Sequence, residues 1–271
     1  MNMKLFISDY DGTYLRPMLK RSDQLLKNAE AVNRWQVEDG LFGFSTGRIL
    51  PLIEAELEEQ PVKVDFMIVA NGALVLDGKR DVIAHQVLAP ELTEEVITFL
   101  TQSRSFNFIC SNGWNGYHSP GVVTASSMAE TFLALKEAGY FHLTLEESLS
   151  QGISQFSIVD LTVDEVEQLT GELRMLFQDR LTIYPNRSSI DLSPRGVSKA
   201  TGIQQLLDYL ELSPSQVICM GDSWNDVEMI QQYQGLTVPE APMILKEAAI
   251  EWFPTVEEAL NWAIQQKRLP K

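Results

Sequence analysis

Cysteine and histidine are scarce in this chain of 271 residues, which has two cysteines and three histidines. Cys110 and Cys219 lie in apolar, strand-like segments and are not spaced as a Cys-x-x-Cys pair. Zinc sites are usually built from thiolate and imidazole ligands, and a full set is hard to assemble from so few groups. We therefore expect any bound metal to be a hard cation held by oxygen atoms.

Basic residues are also few, with 21 Lys and Arg against 37 Asp and Glu and a net charge of −16. A field of this sign repels nucleic acids and anionic membrane surfaces. No apolar run approaches the roughly 20 residues of a membrane helix. The first residues, MNMKLFISDYDG, lack the apolar segment and cleavage site of a signal peptide. We predict a cytoplasmic protein that binds neither nucleic acid nor membranes.

The order of the apolar segments predicts an α/β protein. Strand-like runs such as KLFIS and LFGFS alternate with amphipathic stretches up to DFMIVA. This βαβαβ order is typical of a parallel sheet with helices on its faces. The pattern changes after Asn71-Gly72 and returns at SSIDLSPRG. We predict an outer domain of residues 1–79 and 186–271, into which a middle α/β domain of residues 80–185 is inserted.

Carboxylate, hydroxyl and glycine residues follow three of the predicted parallel strands. They are Asp9, Asp11, Gly12 and Thr13 after the first strand, Ser45, Thr46, Gly47 and Arg48 after the second, and Asp222, Asn225 and Asp226 after QVICM. The carboxyl ends of parallel strands meet at one edge of a sheet, where ligands bind. Clustered carboxylates suit Mg²⁺, and Lys199 near a helix start could help to hold an anion. The sequence therefore predicts a site for phosphate and magnesium at this edge.

Each of these features also has a purely structural interpretation. Asp11-Gly12 is a strong turn signal, and Thr46 could cap the helix that follows it. Lys199 could be a solvated helix residue, while Asp222 could favour the first turn of a helix. The order and co-location of the features, rather than any single residue, favour the site.

The segment GFSTG also fits the G-x-S-x-G pattern of the α/β-hydrolase nucleophile elbow, with Ser45 as the nucleophile. A Ser-Asp-His triad in that fold needs a histidine late in the chain. The three histidines are His85, His118 and His142, all in the predicted middle domain. The lack of a histidine after residue 142 therefore argues against this alternative.

Four sequence segments resemble, in order, the four motifs of the haloacid dehalogenase (HAD) superfamily. They are DYDGT, STGR, Lys199 and GDSWND. The long insertion between STGR and Lys199 resembles the Cof-like phosphatases with a type-IIB cap, and the resemblance extends over essentially the whole chain. It implies a Rossmann-like parallel sheet core with an inserted α/β cap domain, residues 80–185, that determines substrate specificity.

The resemblance also implies a role for each motif residue. Asp9 would attack the phosphorus and form an aspartyl-phosphate, and Asp11 would protonate the leaving oxygen and then activate water. The implied cofactor is Mg²⁺, bound by Asp9, the backbone carbonyl of Asp11 and Asp222, with Asp226 acting from outside the metal shell. The implied phosphate-binding residues are Gly12, Thr46, Gly47, Arg48, Lys199 and Asn225.

We expect a Mg²⁺-dependent phosphatase that acts on a small phosphorylated metabolite, with sugar phosphates as the expected class. Asp11 favours phosphatase or phosphomutase chemistry, because the dehalogenases lack the second Asp. Two alternatives stay open: a phosphomutase on the same scaffold, and a non-catalytic sensor of a phosphorylated ligand. A mutase would need a cationic cap, and a sensor would not need a nucleophile.

The segment CSNGWNGYHSP in the predicted cap places Trp114, Tyr117 and His118 among glycines and asparagines. They are candidates for substrate contact, since aromatic faces pack against sugar rings. A hairpin with exposed aromatic residues is the alternative.

The chain departs from the family pattern at VPEAP, where many relatives have Gly-Asn-Ala. Glu240 would repel a phosphate at this position unless its side chain turns away. The asparagine contact of the family is therefore in doubt here.

Overall fold

The computed structural model describes residues 4–58, 60–103, 106–125, 133, 135–177 and 179–268. The strands in this part of the chain are β1 (Leu5–Ser8), β2 (Leu41–Ser45), β3 (Phe66–Val69), β4 (Leu74–Asp77), β5 (Val82–His85), β6 (Asn107–Ser111), β7 (Gly116–His118), β8 (Gln155–Val159), β9 (Leu181–Pro185), β10 (Ile190–Pro194), β11 (Val217–Gly221), β12 (Gln234–Thr237) and β13 (Glu251–Trp252). The α-helices are α1 (Arg21–Val37), α2 (Leu50–Leu57), α3 (Pro90–Thr98), α4 (Pro120–Ala125), α5 (Leu145–Ser150), α6 (Val163–Phe177), α7 (Lys199–Leu210), α8 (Val227–Gln232), α9 (Met243–Ala248) and α10 (Val256–Arg268).

The chain divides into two compact units. The first unit contains Met1–Gly47, Glu54–Ala84 and Ser198–Lys271, and the second contains Arg48–Ile53 and His85–Val197. None of the helices in the described ranges combines the length and apolar character that a membrane span requires.

An eight-stranded sheet organises the first unit, in the order β13-β12-β11-β1-β2-β3-β4-β5. The strands from β13 to β3 pair in parallel, and β4 runs antiparallel to β3. Strands β1 and β3 consist of buried residues throughout, because a parallel strand covered on both faces requires a continuous apolar run. The predicted α/β fold is confirmed.

Strand β1 lies in the interior of this sheet, and its register places Leu5 beside Val217 on one side and Leu41 on the other. An aromatic cluster covers it, in which Phe6 stacks on Phe42 at 6.2 Å and contacts Trp35 edge-on. The helices α1 and α10 pack against each other within the same unit. The residue that follows β1 is thereby held between two buried neighbouring strands.

The second unit contains a five-stranded antiparallel sheet in the order β7-β6-β8-β10-β9. Phe108, Phe156 and Ile158 of this sheet form a buried core with Leu169 and Leu173 of α6. A separate core of this kind is what an independently packed unit requires.

Strand β10 belongs to this second sheet, although the sequence analysis assigned the residues from 186 onward to the outer domain. It pairs with β9 through a tight turn in which the Asn186 amide donates to the Ser189 carbonyl at 2.8 Å. Its other neighbour is β8. The roles of the two units as catalytic core and cap stay a prediction.

Candidate active site

The loop that follows β1 turns sharply and separates two carboxylates. The Asp9 amide donates to the Met220 carbonyl at 2.8 Å and continues the pairing with β11. The Tyr14 amide returns to the Asp9 carbonyl at 3.2 Å. Asp9 is therefore buried at the end of the strand, whereas Asp11 is exposed at the turn.

Gly12 allows this loop to approach the one that follows β11. Its φ of +87° is a conformation that side-chain-bearing residues rarely adopt, and a Cβ atom there would lie 2.6 Å from Asp222 Oδ1. The same oxygen accepts a hydrogen bond from Thr13 Oγ1 at 2.6 Å. Residues 12 and 13 thus fix the position of the Asp222 carboxylate, one by its lack of a side chain and the other by a hydrogen bond.

Lys199 joins the two loops through a fully buried ammonium group. Its Nζ donates to Asp9 Oδ1 at 2.7 Å and to Asp226 Oδ1 at 2.6 Å. Burial alone would lower the pKa of Lys199, but the charges of Asp226 and Asp9 outweigh it and the pKa is raised. The lysine is therefore a permanent cation, and it is not the solvated helix residue of the structural alternative.

Lys199 reaches this place because its helix packs closely on the turn after β3. It is the first residue of α7, whose N-cap Ser198 forms a capping box with Thr201. A Cβ atom on Gly202 would lie 2.6 Å from Ile68 and 3.0 Å from the Gly72 Cα atom. The approach of α7 to this turn thus depends on glycine on both sides.

Asp226 is fully buried and has both carboxylate oxygens engaged. While Oδ1 accepts from Lys199, Oδ2 accepts from the amides of Asp222 and Ser223 at 3.0 and 2.9 Å. Gly221 makes room for this group, because a Cβ atom there would lie 2.6 Å from the Asp226 Cβ atom. Asp226 therefore shapes its own loop and orients the lysine.

The carboxyl groups of Asp9 and Asp222 both have raised pKa values in this arrangement. Burial, followed by repulsion from Asp226, raises the pKa of Asp222 to about 6. Burial also raises the pKa of Asp9 well above its ordinary value, and the neighbouring Lys199 charge opposes that rise. Charged carboxylates in such a place demand a further cation or a proton.

The acids of this cluster fit a magnesium ion. Asp9, Asp222 and Asp226 each offer an oxygen, and these oxygens lie within 4.8 Å of one another. In their ionised forms they exceed the charge of Lys199 by two, which a divalent cation would balance. Mg²⁺ prefers carboxylate oxygens and water. Because Asp226 is already engaged through both oxygens, Asp9 and Asp222 are the residues that would hold the ion.

Thr46 follows β2 and is buried beside the same sheet edge. Its amide donates to the Ile68 carbonyl at 2.9 Å, and its carbonyl accepts from the Asn71 amide at 3.0 Å. Ser45 is the last residue of β2 and is fully buried, and its Oγ has no hydrogen-bond partner among the described residues. A nucleophile elbow exposes its serine at a strand-to-helix turn, so the geometry of Ser45 is wrong for that alternative.

Four of the predicted site residues lie in the second unit. Arg48 donates from Nη1 to the Leu52 carbonyl at 3.5 Å. Trp114 contacts the imidazole of His85 edge-on at 4.8 Å, and His85 Nε2 lies 2.7 Å from Ser154 Oγ. Tyr117 packs against the core of that unit and stacks on His118 at 6.3 Å. Their contact with a substrate stays a prediction.

The loop that carries Trp114 is held by its own polar side chains. Asn112 Oδ1 accepts from the amides of Trp114 and Asn115 at 3.0 and 2.9 Å. Ser111 Oγ accepts from the Gly113 amide and donates to the Asn115 carbonyl, both at 2.8 Å. The segment is a hairpin between β6 and β7, as in the structural alternative, but its aromatic residues Trp114, Tyr117 and His118 are half-buried rather than exposed.

Asn71 lies beside the predicted site residues Thr46 and Asn225, although it is not among the residues predicted from the sequence. It is fully buried after β3, and its Oδ1 accepts from Asn225 Nδ2 at 2.9 Å. It follows the third parallel strand as Asp9 and Thr46 follow the first two, and this position predicts a place at the same edge of the sheet. The position of Asn71 after this strand can be recognised in the sequence, but the Asn71-Gly72 pair is equally typical of a turn.

Glu240, the departure from the family pattern, forms an ion pair with Arg16. The Arg16 guanidinium also donates to the Pro254 carbonyl, and its side chain is buried. The Glu240 charge is thus matched by a neighbouring cation.

Comparisons with known proteins identify sequences and structures that are similar to this chain. A family model described as haloacid dehalogenase-like hydrolase matches residues 6–259. The chain is 24% identical over 207 residues to an HMP-PP phosphatase of Yersinia pseudotuberculosis, covering 75% of this chain and 73% of that protein. It is also 24% identical over 254 residues to the 5-amino-6-(5-phospho-D-ribitylamino)uracil phosphatase of Bacillus subtilis, covering 92% and 89%.

Solved structures share the fold. A putative HAD/COF-like hydrolase from Plasmodium vivax superposes with a TM-score of 0.78 at 20% identity, over 98% of this chain and 96% of the other. The family model covers far more than half of the sequence, which confirms the resemblance seen in the four motifs. This chain belongs to the haloacid dehalogenase-like hydrolase family.

Proposed function

We propose that this protein is a Mg²⁺-dependent phosphatase that hydrolyses small phosphorylated metabolites through an aspartyl-phosphate. The observation that carries the proposal is the buried contact of Lys199 with Asp9 and Asp226, beside the Asp222 carboxylate. The two curated relatives described above are named phosphatases. A carboxylate nucleophile, a fixed cation and a divalent metal are the groups that phosphoryl transfer requires.

In the first step, Asp9 attacks the phosphorus of the bound ester. Lys199 donates to Oδ1, so the other carboxylate oxygen, Oδ2, is the attacking atom. The bond from phosphorus to the ester oxygen breaks, and Asp11 gives a proton to that leaving oxygen. Because Asp11 lies on the exposed side of the turn, it can reach a leaving group that Asp9 cannot.

In the second step, a water molecule attacks the phosphorus of the aspartyl-phosphate. Asp11, now ionised, takes the proton of that water. The bond between phosphorus and Asp9 breaks, which releases inorganic phosphate and restores the Asp9 carboxylate. The same residue thus serves as acid and then as base.

The phosphoryl oxygens need positive partners in a strongly acidic site. An ammonium group has three donors, and Asp9 and Asp226 take two of those of Lys199. We assign the third to a phosphoryl oxygen and propose the Thr46 hydroxyl as a second donor. When bound, Mg²⁺ would supply the charge that offsets the excess carboxylates.

Sugar phosphates remain the proposed class of substrate. In the second unit, Trp114 and His85 form an aromatic pair on a loop fixed by hydrogen bonds. Indole and imidazole faces can pack against the apolar face of a sugar ring. A panel of phosphorylated metabolites that includes hexose phosphates and ribityl phosphates, assayed for released phosphate, tests this class.

Hydrolysis of p-nitrophenyl phosphate by the wild-type chain and by Asp9→Asn tests the chemistry. We expect Mg²⁺-dependent release of p-nitrophenol by the wild type, removed by EDTA and restored by added Mg²⁺. The Asp9→Asn variant should fold and lose turnover, because an amide is a poor nucleophile. Near-normal turnover by a folded Asp9→Asn variant would refute the role of Asp9. Inactive wild-type protein that still binds phosphate would favour the sensor.

A further inference from the structure

The turn that follows β3 has a conformation that few residues adopt. Ala70, Asn71 and Gly72 all have positive φ, at 50°, 54° and 101°. Among residues with a side chain, asparagine tolerates this region best. The strain of this turn is therefore concentrated at the carboxyl edge of the sheet, where β1 and β2 also end.

Asn71 makes two contacts there that differ in kind. Its amide donates to the Thr46 carbonyl at 3.0 Å, so its backbone holds the segment after β2. Its side-chain Oδ1 accepts from Asn225 Nδ2 at 2.9 Å, so its side chain holds the loop after β11. Glycine would satisfy the backbone requirement alone, and asparagine satisfies both.

The next residue extends the set of contacts to a third segment. Gly72 abuts the start of α7, since a Cβ atom on residue 72 would lie 2.7 Å from the Ser198 carbonyl carbon and 3.3 Å from the Lys199 amide nitrogen. A single turn thus touches the segments that carry Thr46, Lys199 and Asn225. No charged group is needed for this, so the turn adds rigidity without altering the charge of the site.

The carboxamide of Asn225 is the group whose direction depends most on Asn71. Rotation by 180° about the bond to its amide carbon exchanges oxygen for nitrogen with little change in shape. In the structure Asn71 Oδ1 accepts from Asn225 Nδ2, and this hydrogen bond holds the Asn225 amide with its nitrogen facing residue 71. The remaining N–H and the oxygen of Asn225 are then presented in a defined direction.

We propose that Asn71 is a positioning residue that acts through Asn225, and that the hydrogen bond between the two side chains orients the Asn225 amide toward the phosphoryl group. This inference rests on the proposed function. It assigns to the turn after β3 a part in phosphate binding that is distinct from the roles of Asp9 and Lys199.

Asn71→Gly, Asn225→Ala and the double variant test this role. Glycine keeps the left-handed backbone and the contact to Thr46 and removes only the side chain. We expect Asn71→Gly to lower kcat/KM for p-nitrophenyl phosphate about five- to tenfold and to weaken inhibition by inorganic phosphate, from the loss of one hydrogen bond to a binding group. In the Asn225→Ala background the same change should alter kcat/KM less than about twofold, because the group it orients is gone.

Asp39→Gly is the matched control. Asp39 is an exposed left-handed residue with φ 57°, and it precedes β2 at the opposite end of the strand from Thr46. We expect its substitution to leave kcat/KM unchanged. Losses that multiply in the double variant, or an Asn71→Gly variant with wild-type kcat/KM, would overturn the inference.

The same variants separate this inference from the proposed function. The free energy of unfolding in urea, measured for the four proteins of the cycle, reports the contact between Asn71 and Asn225 without any turnover. Coupling of the two substitutions in that free energy is expected even if no ester is hydrolysed, in which case the proposed function alone fails. Additive effects on unfolding would show that the side chains do not interact.

Discussion

Replacement of Gly72 by alanine probes how tightly α7 is held against the turn after β3. The new Cβ atom would lie 2.7 Å from the Ser198 carbonyl carbon, and all three nearest atoms belong to the backbone. No flexible side chain can move aside, so the helix start or the turn must shift. The positive φ of 101° adds strain that any residue with a Cβ atom experiences.

The two effects can be separated with a matched variant. Strain from a left-handed backbone costs roughly 1–2 kcal/mol and overpacking roughly 1–3 kcal/mol, so Gly72→Ala should lose about 2–5 kcal/mol of unfolding free energy. Gly139 has a similar φ of 93° and no atom within 4 Å of the added Cβ. Gly139→Ala should therefore lose only the strain, about 1–2 kcal/mol.

Urea unfolding, monitored by circular dichroism, measures the loss of unfolding free energy in both variants. The turnover of p-nitrophenyl phosphate by the folded protein reports whether Lys199 keeps its position. We expect Gly72→Ala to lower kcat as well, because the displaced helix start carries the lysine away from Asp9. Gly139→Ala should keep wild-type kcat. Equal losses of free energy in the two variants would show that the contact with Ser198 is not tight, and the positioning argument would be wrong.

Three further predictions concern other parts of the chain. Both thiols are buried, and burial raises the pKa of Cys110 to about 12 and also raises the pKa of Cys219. A disulfide reagent at pH 8 should therefore react with two thiols in denaturant and with neither in the native protein. The pKa of Asp222 is raised to about 6, so the folded state binds more protons than the unfolded state, and the unfolding free energy of metal-free protein should fall as pH rises from about 4 through 6. Asp222→Asn should reduce this slope and stabilise the protein at pH 7. An unchanged slope in that variant would contradict the assignment. Trp114→Ala should change kcat/KM unequally among sugar phosphates, by roughly 1–3 kcal/mol in transition-state free energy, and should change that for p-nitrophenyl phosphate much less; equal losses on every substrate would indicate damage to the second unit instead.

The parallel strands and the acidic edge of the sheet could be predicted from the sequence for a local reason. Strand β1 is a short apolar run followed at once by Asp9, and β11 is followed by Asp222 in the same way. Burial on both faces fixes the composition of such strands, and parallel pairing fixes where their ends meet. These constraints act on a few consecutive residues and are therefore legible in a single sequence.

Contacts between distant residues could not be predicted in this way. Asn71 and Asn225 are 154 positions apart, and the engagement of Asp226 with Lys199 depends on how closely α7 packs. Similarly, β10 pairs with β8 and β9 of the second sheet, and such pairing partners cannot be identified from a short apolar segment alone. Glycines such as Gly72 and Gly202 allow these segments to pack closely. In a sequence, however, a glycine indicates a turn just as readily as a close contact.

The central position of β1 has a consequence for the order in which the protein can be completed during synthesis. One parallel neighbour of β1 is β2, but the other is β11, which begins at Val217. One edge of β1 therefore has no pairing partner until residues 217–221 have been synthesised, and exposed strand edges of this kind favour aggregation. The whole second unit, by contrast, ends at Val197 and is available earlier. A chain interrupted before residue 217 would contain every residue of the second unit, yet in the first unit it would leave the central strand open on one side.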